Sequence, residues 1–367
     1  MKSVYEQLLH LLRIFINGEI PDKELLASVD GVELYNQARL QGVSSFLFET
    51  VYQHNDLLKI DHSVLTHWKE KTVVTAARQL MMLPTIGTIF NLFETNGITA
   101  ISLKGLVFKE QYPRPELRSM NDLDVLINEK QMNQCIEAMT SLGYKPNELN
   151  YNDPDHMHID MIKAGTFAVE LHRTLWHPKY MQKIDNSDWV DHIWKDKRLQ
   201  TVAGFQFYCL SPEDELINAV IHTARHLKHS NANLRLLSDF VLFFNSYRNQ
   251  IDINYIEQTL ESMAILNFYY YLMDTCRLYL GLHLPDNYQL NSTKNSVIII
   301  QNIMNKEEMI ISSDRDQEKK VNGYQYLLQK IKLVISNSAI YNKLLKIVHP
   351  FRSKARFLRK IGLHFRY

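Results

Sequence analysis

The chain has 367 residues, with 41 Lys/Arg against 40 Asp/Glu, and is 46% hydrophobic and 22% charged, a composition that excludes wholesale disorder. Three cysteines, Cys135, Cys209 and Cys276, are far apart and odd in number, so neither a disulfide framework nor a CxxC metal knuckle is expected, and a reducing, cytoplasmic location follows. Near-neutral totals conceal an asymmetry: residues 341–367 carry eight Lys/Arg and no acid, while the first 340 carry 33 basic against 40 acidic side chains.

Glu6, His10 and Arg13 interrupt the first apolar stretch, so it does not read as a signal peptide. No unbroken apolar run approaches the ~20 residues that span a bilayer. Tyr5, Leu8, Leu9, Leu12 and Ile16 follow the three-four spacing of an amphipathic helix. Weaker patterns cover 32–40 and 51–60, and a long one runs from Val64 towards Thr95. Pro84 is expected to bend that helix, because proline removes a donor and crowds the preceding turn. Asn96-Gly97 is its stop signal.

The pattern then changes. Ile98–Leu103 is a β-prone run, Lys104-Gly105 opens a short helix, and Pro113-Arg114-Pro115 is a stiff loop. Asp122–Ile127 alternates polar and apolar residues and predicts a strand; 131–142 predicts an amphipathic helix ended by Gly143. Strands are predicted over 156–162 and 166–174 around a Lys163-Ala164-Gly165 turn. From Ser211 the chain returns to helices, over 212–228, 233–247 and 253–281, then past a polar linker at 285–296 to the basic end. Ser211-Pro212-Glu213-Asp214 combines a capping serine, proline at the first helical position and early acids. The layout is α+β: a small mixed sheet in residues 98–210, flanked by an N-terminal helical region, 1–97, and a C-terminal one, 211–367, that ends in the basic tail 341–367.

The sharpest chemical feature is Asp122-Leu123-Asp124. Two aspartates two apart on a strand project to one side, about 6.5–7 Å apart. Either they lie on a solvated strand face, or they share a divalent cation that relieves their repulsion, and hard oxygen ligands favour Mg²⁺ or Mn²⁺. Lys104-Gly105 sits at a strand-to-helix junction, Arg118 lies four residues before Asp122, and Glu170 stands between apolar residues where a carboxylate is costly unless paired or metal-bound.

Ile101-Ser-Leu-Lys-Gly-Leu-Val-Phe, Leu117-Arg-Ser-Met-Asn-Asp-Leu-Asp-Val-Leu-Ile and Val169-Glu-Leu-His-Arg together resemble the bacterial uncharacterised nucleotidyltransferase family of the polymerase-β-like superfamily. Leu210-Ser-Pro-Glu-Asp-Glu, His222-Thr-Ala-Arg-His and Leu234-Arg-Leu-Leu-Ser-Asp239 are similar to its helical region, and the resemblance is dense over 85–245. It implies a nucleotidyltransferase core, metal-ligand roles for Asp122, Asp124 and Glu170, and nucleotide-phosphate contacts at Lys104 and Gly105. With Arg118 beside them, the expected chemistry is two-metal transfer of a nucleotidyl group from an NTP such as ATP, with Mg²⁺ or Mn²⁺ as cofactor. The turn departs from the superfamily pattern: bulky Leu106 follows Gly105, which points to a nucleotide-binding or interaction module without turnover, while retention of Asp122, Asp124 and Glu170 points to an enzyme, the preferred reading. Transfer of a phospho-alcohol on the same fold is a further reading. A glycosyltransferase using the same Asp-x-Asp pattern would normally place a nucleotide-binding α/β half where 97 helical residues stand.

His156, His158 and His172 are strand residues near the acids; His172, two residues beyond Glu170, shares its face and is a candidate to support the ligands. His222 and His226, four apart on a helix with His229 a turn later, are a zinc pair, cleft residues alongside Arg225 and Arg235, or packing histidines. Arg235 and Asp239 are also spaced to pair with each other. Phe268–Tyr271 reads as helix packing, and Cys135 lacks the flanking groups of a nucleophile. The acceptor is open between a small molecule, a glycan, a peptide and a protein, and no nucleic-acid-binding module is expected. The basic tail 341–367 would cover the acidic body, bind nucleic acid or make a peripheral membrane contact.

Overall fold

The computed structural model describes residues 4–304 except 28, 152–155, 176–186, 229–231, 287 and 291–295. The basic tail and His229 lie outside the described residues. Seven strands form one sheet: β1 (Ala100–Ser102), β2 (Asp122–Ile127), β3 (Lys145–Pro146), β4 (His158–Ile162), β5 (Ala168–His172), β6 (Arg198–Val202) and β7 (Phe205–Cys209). Their order is β3-β4-β5-β2-β1-β7-β6. β2 is the middle strand, parallel to β5 and antiparallel to β1. Mixed pairing of this kind, with helices around it, is the α+β arrangement that the sequence predicts.

β2 shows why the alternation matters. Leu123 and Val125 are fully buried on one face, and Asp122 and Asp124 are only half-buried on the other. The hairpin β6–β7 is not anticipated by the sequence reading. It turns at Ala203 and Gly204, both at positive φ (48° and 86°), the backbone that a tight two-residue hairpin requires.

The long helix spans His62–Thr95 and runs on through Pro84. The residue four earlier, Leu80, is 54% exposed, so water can take the hydrogen bond that proline removes. By length and hydropathy this helix would suffice to cross a bilayer, but Ile86, Ile89, Phe90 and Phe93 on it belong to the core. The predicted helix 253–281 is two, Ile253–Ser262 and Leu266–Leu280, parted at Ala264 (φ 56°).

The helices before and after the sheet are pinned to each other. Asn17 Nδ2 donates to the carbonyls of Leu280 and Gly281 at 3.2 and 3.1 Å. Gln41, 2% exposed, donates to Ile303 O and accepts from Leu234 N–H at 3.0 and 3.1 Å. A buried amide satisfied at both ends fixes its neighbours, because leaving either group unpaired would cost about 1–3 kcal/mol. Through Leu234, Gln41 fixes the start of the Leu234–Tyr247 helix, which carries Arg235 and Asp239 to the cavity over β2.

Candidate active site

The register of β2, β5 and β4 builds the site. Asp124 stands opposite Glu170, and Glu170 opposite Asp160; His172 is opposite His158. Because side chains alternate along a strand, Asp122, Asp124, Glu170, His172, His158 and Asp160 all project from the same face. The result is four carboxylates and two imidazoles on three adjacent strands.

A cavity of about 490 Å³ opens over this face. Lys104, Gly105, Arg118, Asp122, Asp124, Glu170 and Arg235 all line it, and so do His156, His158, His222, Arg225 and His226 from the sheet and the helix above. His172 is the exception among the expected residues. It is 1% exposed and sits behind the carboxylates, in contact with Asp124 Oδ1 at 2.8 Å and Glu170 Oε2 at 3.3 Å.

The Lys104-Gly105 turn explains itself sterically. Lys104 adopts φ 51° and ψ −99°, which an L-residue adopts only at a cost of about 1–3 kcal/mol. In return its Nζ reaches Asp124 Oδ1 at 3.2 Å. A Cβ at Gly105 would meet Met120 Sδ at 2.7 Å and Arg118 Nη1 at 3.2 Å, so glycine is needed for close approach. Leu106 is fully buried in the core and does not line the cavity, which removes the steric objection that its bulk raised.

Arg118 and Arg235 divide differently from the expected pairing. Arg118 takes Asp239, with Nε to Oδ1 at 3.1 Å and Nη2 to Oδ2 at 2.6 Å, and Tyr112 O–H also donates to Asp239 at 2.8 Å. Arg235, one helical turn before Asp239, instead donates Nη1 to Ser119 O at 2.8 Å. Its buried Nε has no partner among the described residues. The loop bearing Arg118 reaches Asp239 from the far side, a long-range contact that an i, i+4 rule cannot anticipate.

The sequence matches the uncharacterised nucleotidyltransferase family over residues 27–281. The chain belongs to that family. Among solved structures it is similar to the antibiotic-resistance factor ANT(2'')-Ia, at 11% identity and a TM-score of 0.36, over 51% of this chain and 92% of that one. It is also similar to an antigenic nucleotidyltransferase-like protein from Paracoccidioides brasiliensis, at 11% identity and 0.32, over 55% and 92%. No curated protein matches this sequence.

Charge in this nucleotidyltransferase-family cleft is unevenly relieved. Burial raises Asp122, and the neighbouring charges of Asp124 and Glu170 raise it further, to about 6. For Asp124 burial acts in the same direction, but Lys104 and the hydrogen bond from His172 outweigh it and hold the carboxyl well below its ordinary value. Burial alone would lower His158; its bond with Asp160 and the charge of Glu170 raise it instead. His222 is kept neutral by burial and by Lys104, and its Nε2 lies 2.8 Å from that of His226.

A carboxylate cluster with residual repulsion, in one cavity with Lys104, Arg118 and Arg235, could hold a divalent ion and an anionic ligand. Two further acids are not among the candidate ligands, and Glu215 is not in the cavity lining. Asp160 emerges only from the strand register. Glu215, on the Pro212–Lys228 helix, is fully buried and neither of its oxygens has a partner among the described residues. Burial pushes its carboxyl up to about 8, against the opposing charge of Arg198 and the nearby Lys104 N–H.

Proposed function

We propose that this family member is a divalent-cation-dependent nucleotidyltransferase that moves a nucleotidyl group from an NTP to an acceptor. The observation that carries the reading is the parallel β2–β5 register, which sets Asp124 beside Glu170 with Asp122 on the same face. Those three carboxylates would hold Mg²⁺ or Mn²⁺, which supplies charge neutralisation at the transferred phosphorus and a lowered pKa for the incoming hydroxyl. Lys104, released from Asp124 when a cation takes that carboxylate, would meet the triphosphate. Arg235, which lines the cavity and whose buried Nε has no partner among the described residues, would supply a second positive charge. Arg118, committed to Asp239, would shape the pocket from behind. In the metal-free protein His172 holds Asp124 through its Nε2 contact.

His156, His158, Arg225 and His226 also line the cavity, so a polar or anionic acceptor fits better than an apolar one. A small molecule, a glycan precursor, a peptide or a protein hydroxyl each meets that description. The test is to incubate the protein and Mg²⁺ with a cell-derived acceptor pool and either α-labelled or γ-labelled NTP. Nucleotidyl transfer moves the α-label and releases pyrophosphate. Movement of the γ-label alone would mean phosphoryl transfer and would overturn the reading.

A further inference from the structure

The β4–β5 end of the face has a different donor chemistry from the β2 end. His158 Nε2 and His172 Nε2 both turn towards Glu170 Oε2, at 3.7 and 3.3 Å. The ligating atoms of His158, Glu170 and His172 all lie within 4.8 Å of one another. Asp160 Oδ1 is 3.2 Å from His158 Nε2, and the two imidazole rings are 5.0 Å apart. His172 Nε2 also meets Asp124 Oδ1 at 2.8 Å, so both Nε2 atoms point into the carboxylate cluster, while Nδ1 of each ring is buried and without a partner among the described residues.

Two imidazoles and a carboxylate on adjacent strands form a three-ligand set with an open side towards the cavity. Divalent zinc sites that do chemistry take such a set, with water or substrate in the remaining position. Tetrahedral bonds of ~2.0–2.2 Å from a shared ion set donors about 3.3–3.6 Å apart, close to the 3.3 and 3.7 Å at which the two Nε2 atoms now stand from Glu170 Oε2. Nitrogen donors disfavour Mg²⁺, which prefers an all-oxygen shell and keeps its waters.

We propose that His158, His172 and Glu170 bind a borderline transition-metal ion of the Zn²⁺ type, beside the all-oxygen Asp122/Asp124 pair, with His172 Nε2 exchanging its 2.8 Å contact with Asp124 Oδ1 for the ion. Glu170, which stands between Asp124 and Asp160 in register, is the one ligand common to both. The site shares that residue with the proposed function but does not depend on nucleotidyl transfer.

The experiment uses tag-free, full-length protein without nucleotide, titrated with Co²⁺ as a visible stand-in for Zn²⁺. Intense bands of a low-coordinate, nitrogen-bound Co²⁺ should appear, saturate at one ion per chain, and be displaced by Zn²⁺ but not by a large excess of Mg²⁺. His158→Gln, at a half-buried position, should weaken binding by more than ~100-fold, since even residues that only support a ligand are worth about 10–100-fold. Asp122→Asn should leave the bands in place. X-ray absorption of the Zn²⁺-loaded wild type should show imidazole scattering, a reading that requires no variant to fold. Absent bands, bands indifferent to His158→Gln, displacement by Mg²⁺, or zinc without imidazole would each overturn the proposal. Bands without any NTP binding would leave the metal site standing and count against the transferase reading alone; NTP binding without bands would do the reverse.

Discussion

Two aspartates on opposite walls of the cleft have opposite fates. Asp239, on the helical wall, is 2% exposed and receives both arms of Arg118 and the Tyr112 hydroxyl. Asp122, on the sheet wall, faces Asp124 and Glu170 and is pushed up to about 6. The first charge is satisfied from within the chain and holds the cleft together. The second is held against its own preference and gains most from something that arrives from solution. Charge that the fold satisfies is structural; charge that the fold leaves in conflict marks where a ligand belongs.

The largest way to break the comparison lies on the helical wall. Arg118→Met would leave Asp239 buried and unpaired, and the expected loss of unfolding free energy is about 3–5 kcal/mol by denaturant titration. The double variant Arg118→Met/Asp239→Leu should recover much of it. A loss near zero for the single variant would mean that the pair does not hold this wall.

Glu215 sharpens the same point with pH. Its carboxyl, fully buried and raised to about 8 from an ordinary 4.5, is neutral in the fold at pH 7, whereas the unfolded chain ionises it. That contribution to stability is fully present below about 4.5 and is lost as the pH rises to about 8. Glu215→Gln should be more stable than wild type above pH 8 by about 2–3 kcal/mol, and equal to it at pH 4. Equal stability at both ends would show that Glu215 is solvated.

On the sheet wall the sign is reversed relative to Arg118: removing the charge should help folding. Asp122 favours the folded state while protonated and loses that advantage as the pH rises from 3.8 to about 6. Asp122→Asn is therefore expected to gain about 1–2 kcal/mol at pH 7 while losing metal-dependent nucleotide binding. Destabilisation instead would place Asp122 in the structural class with Asp239. The smallest effect is at the start of the Pro212–Lys228 helix. There the Ser211 hydroxyl accepts from Asp214 N–H at 3.1 Å and donates to Asp214 Oδ2 at 2.8 Å. Ser211→Ala should cost about 1 kcal/mol in thermal unfolding.

Much of the β2 wall is legible in the sequence. Asp122 and Asp124 alternate with Leu123 and Val125, so one face is buried and the acids share the other. The Ser211-Pro212 signal marks the start of a helix for the same local reason. What escapes is non-local. Asp160 joins Glu170 only when β4 pairs with β5 in one particular register. Arg118 meets Asp239 across 121 residues, so no spacing rule reports it. The β6–β7 hairpin hides because Ala203 occupies a positive-φ position that usually advertises itself with Asn or Gly. Ala264, at φ 56°, hides the break between two helices in the same way.

The central claim is that the carboxylate face of β2 and β5 binds a metal–nucleotide complex. The most direct measurement is thermal unfolding of wild type, Asp122→Asn and Asp124→Asn with each NTP, with and without Mg²⁺ or Mn²⁺. A ligand at 100 times its dissociation constant stabilises by about 2.7 kcal/mol. The account predicts that at least one NTP raises the wild-type melting temperature only when metal is present, and raises neither variant's. An NTP shift of equal size in the aspartate variants, or no shift with any NTP and metal, would contradict it.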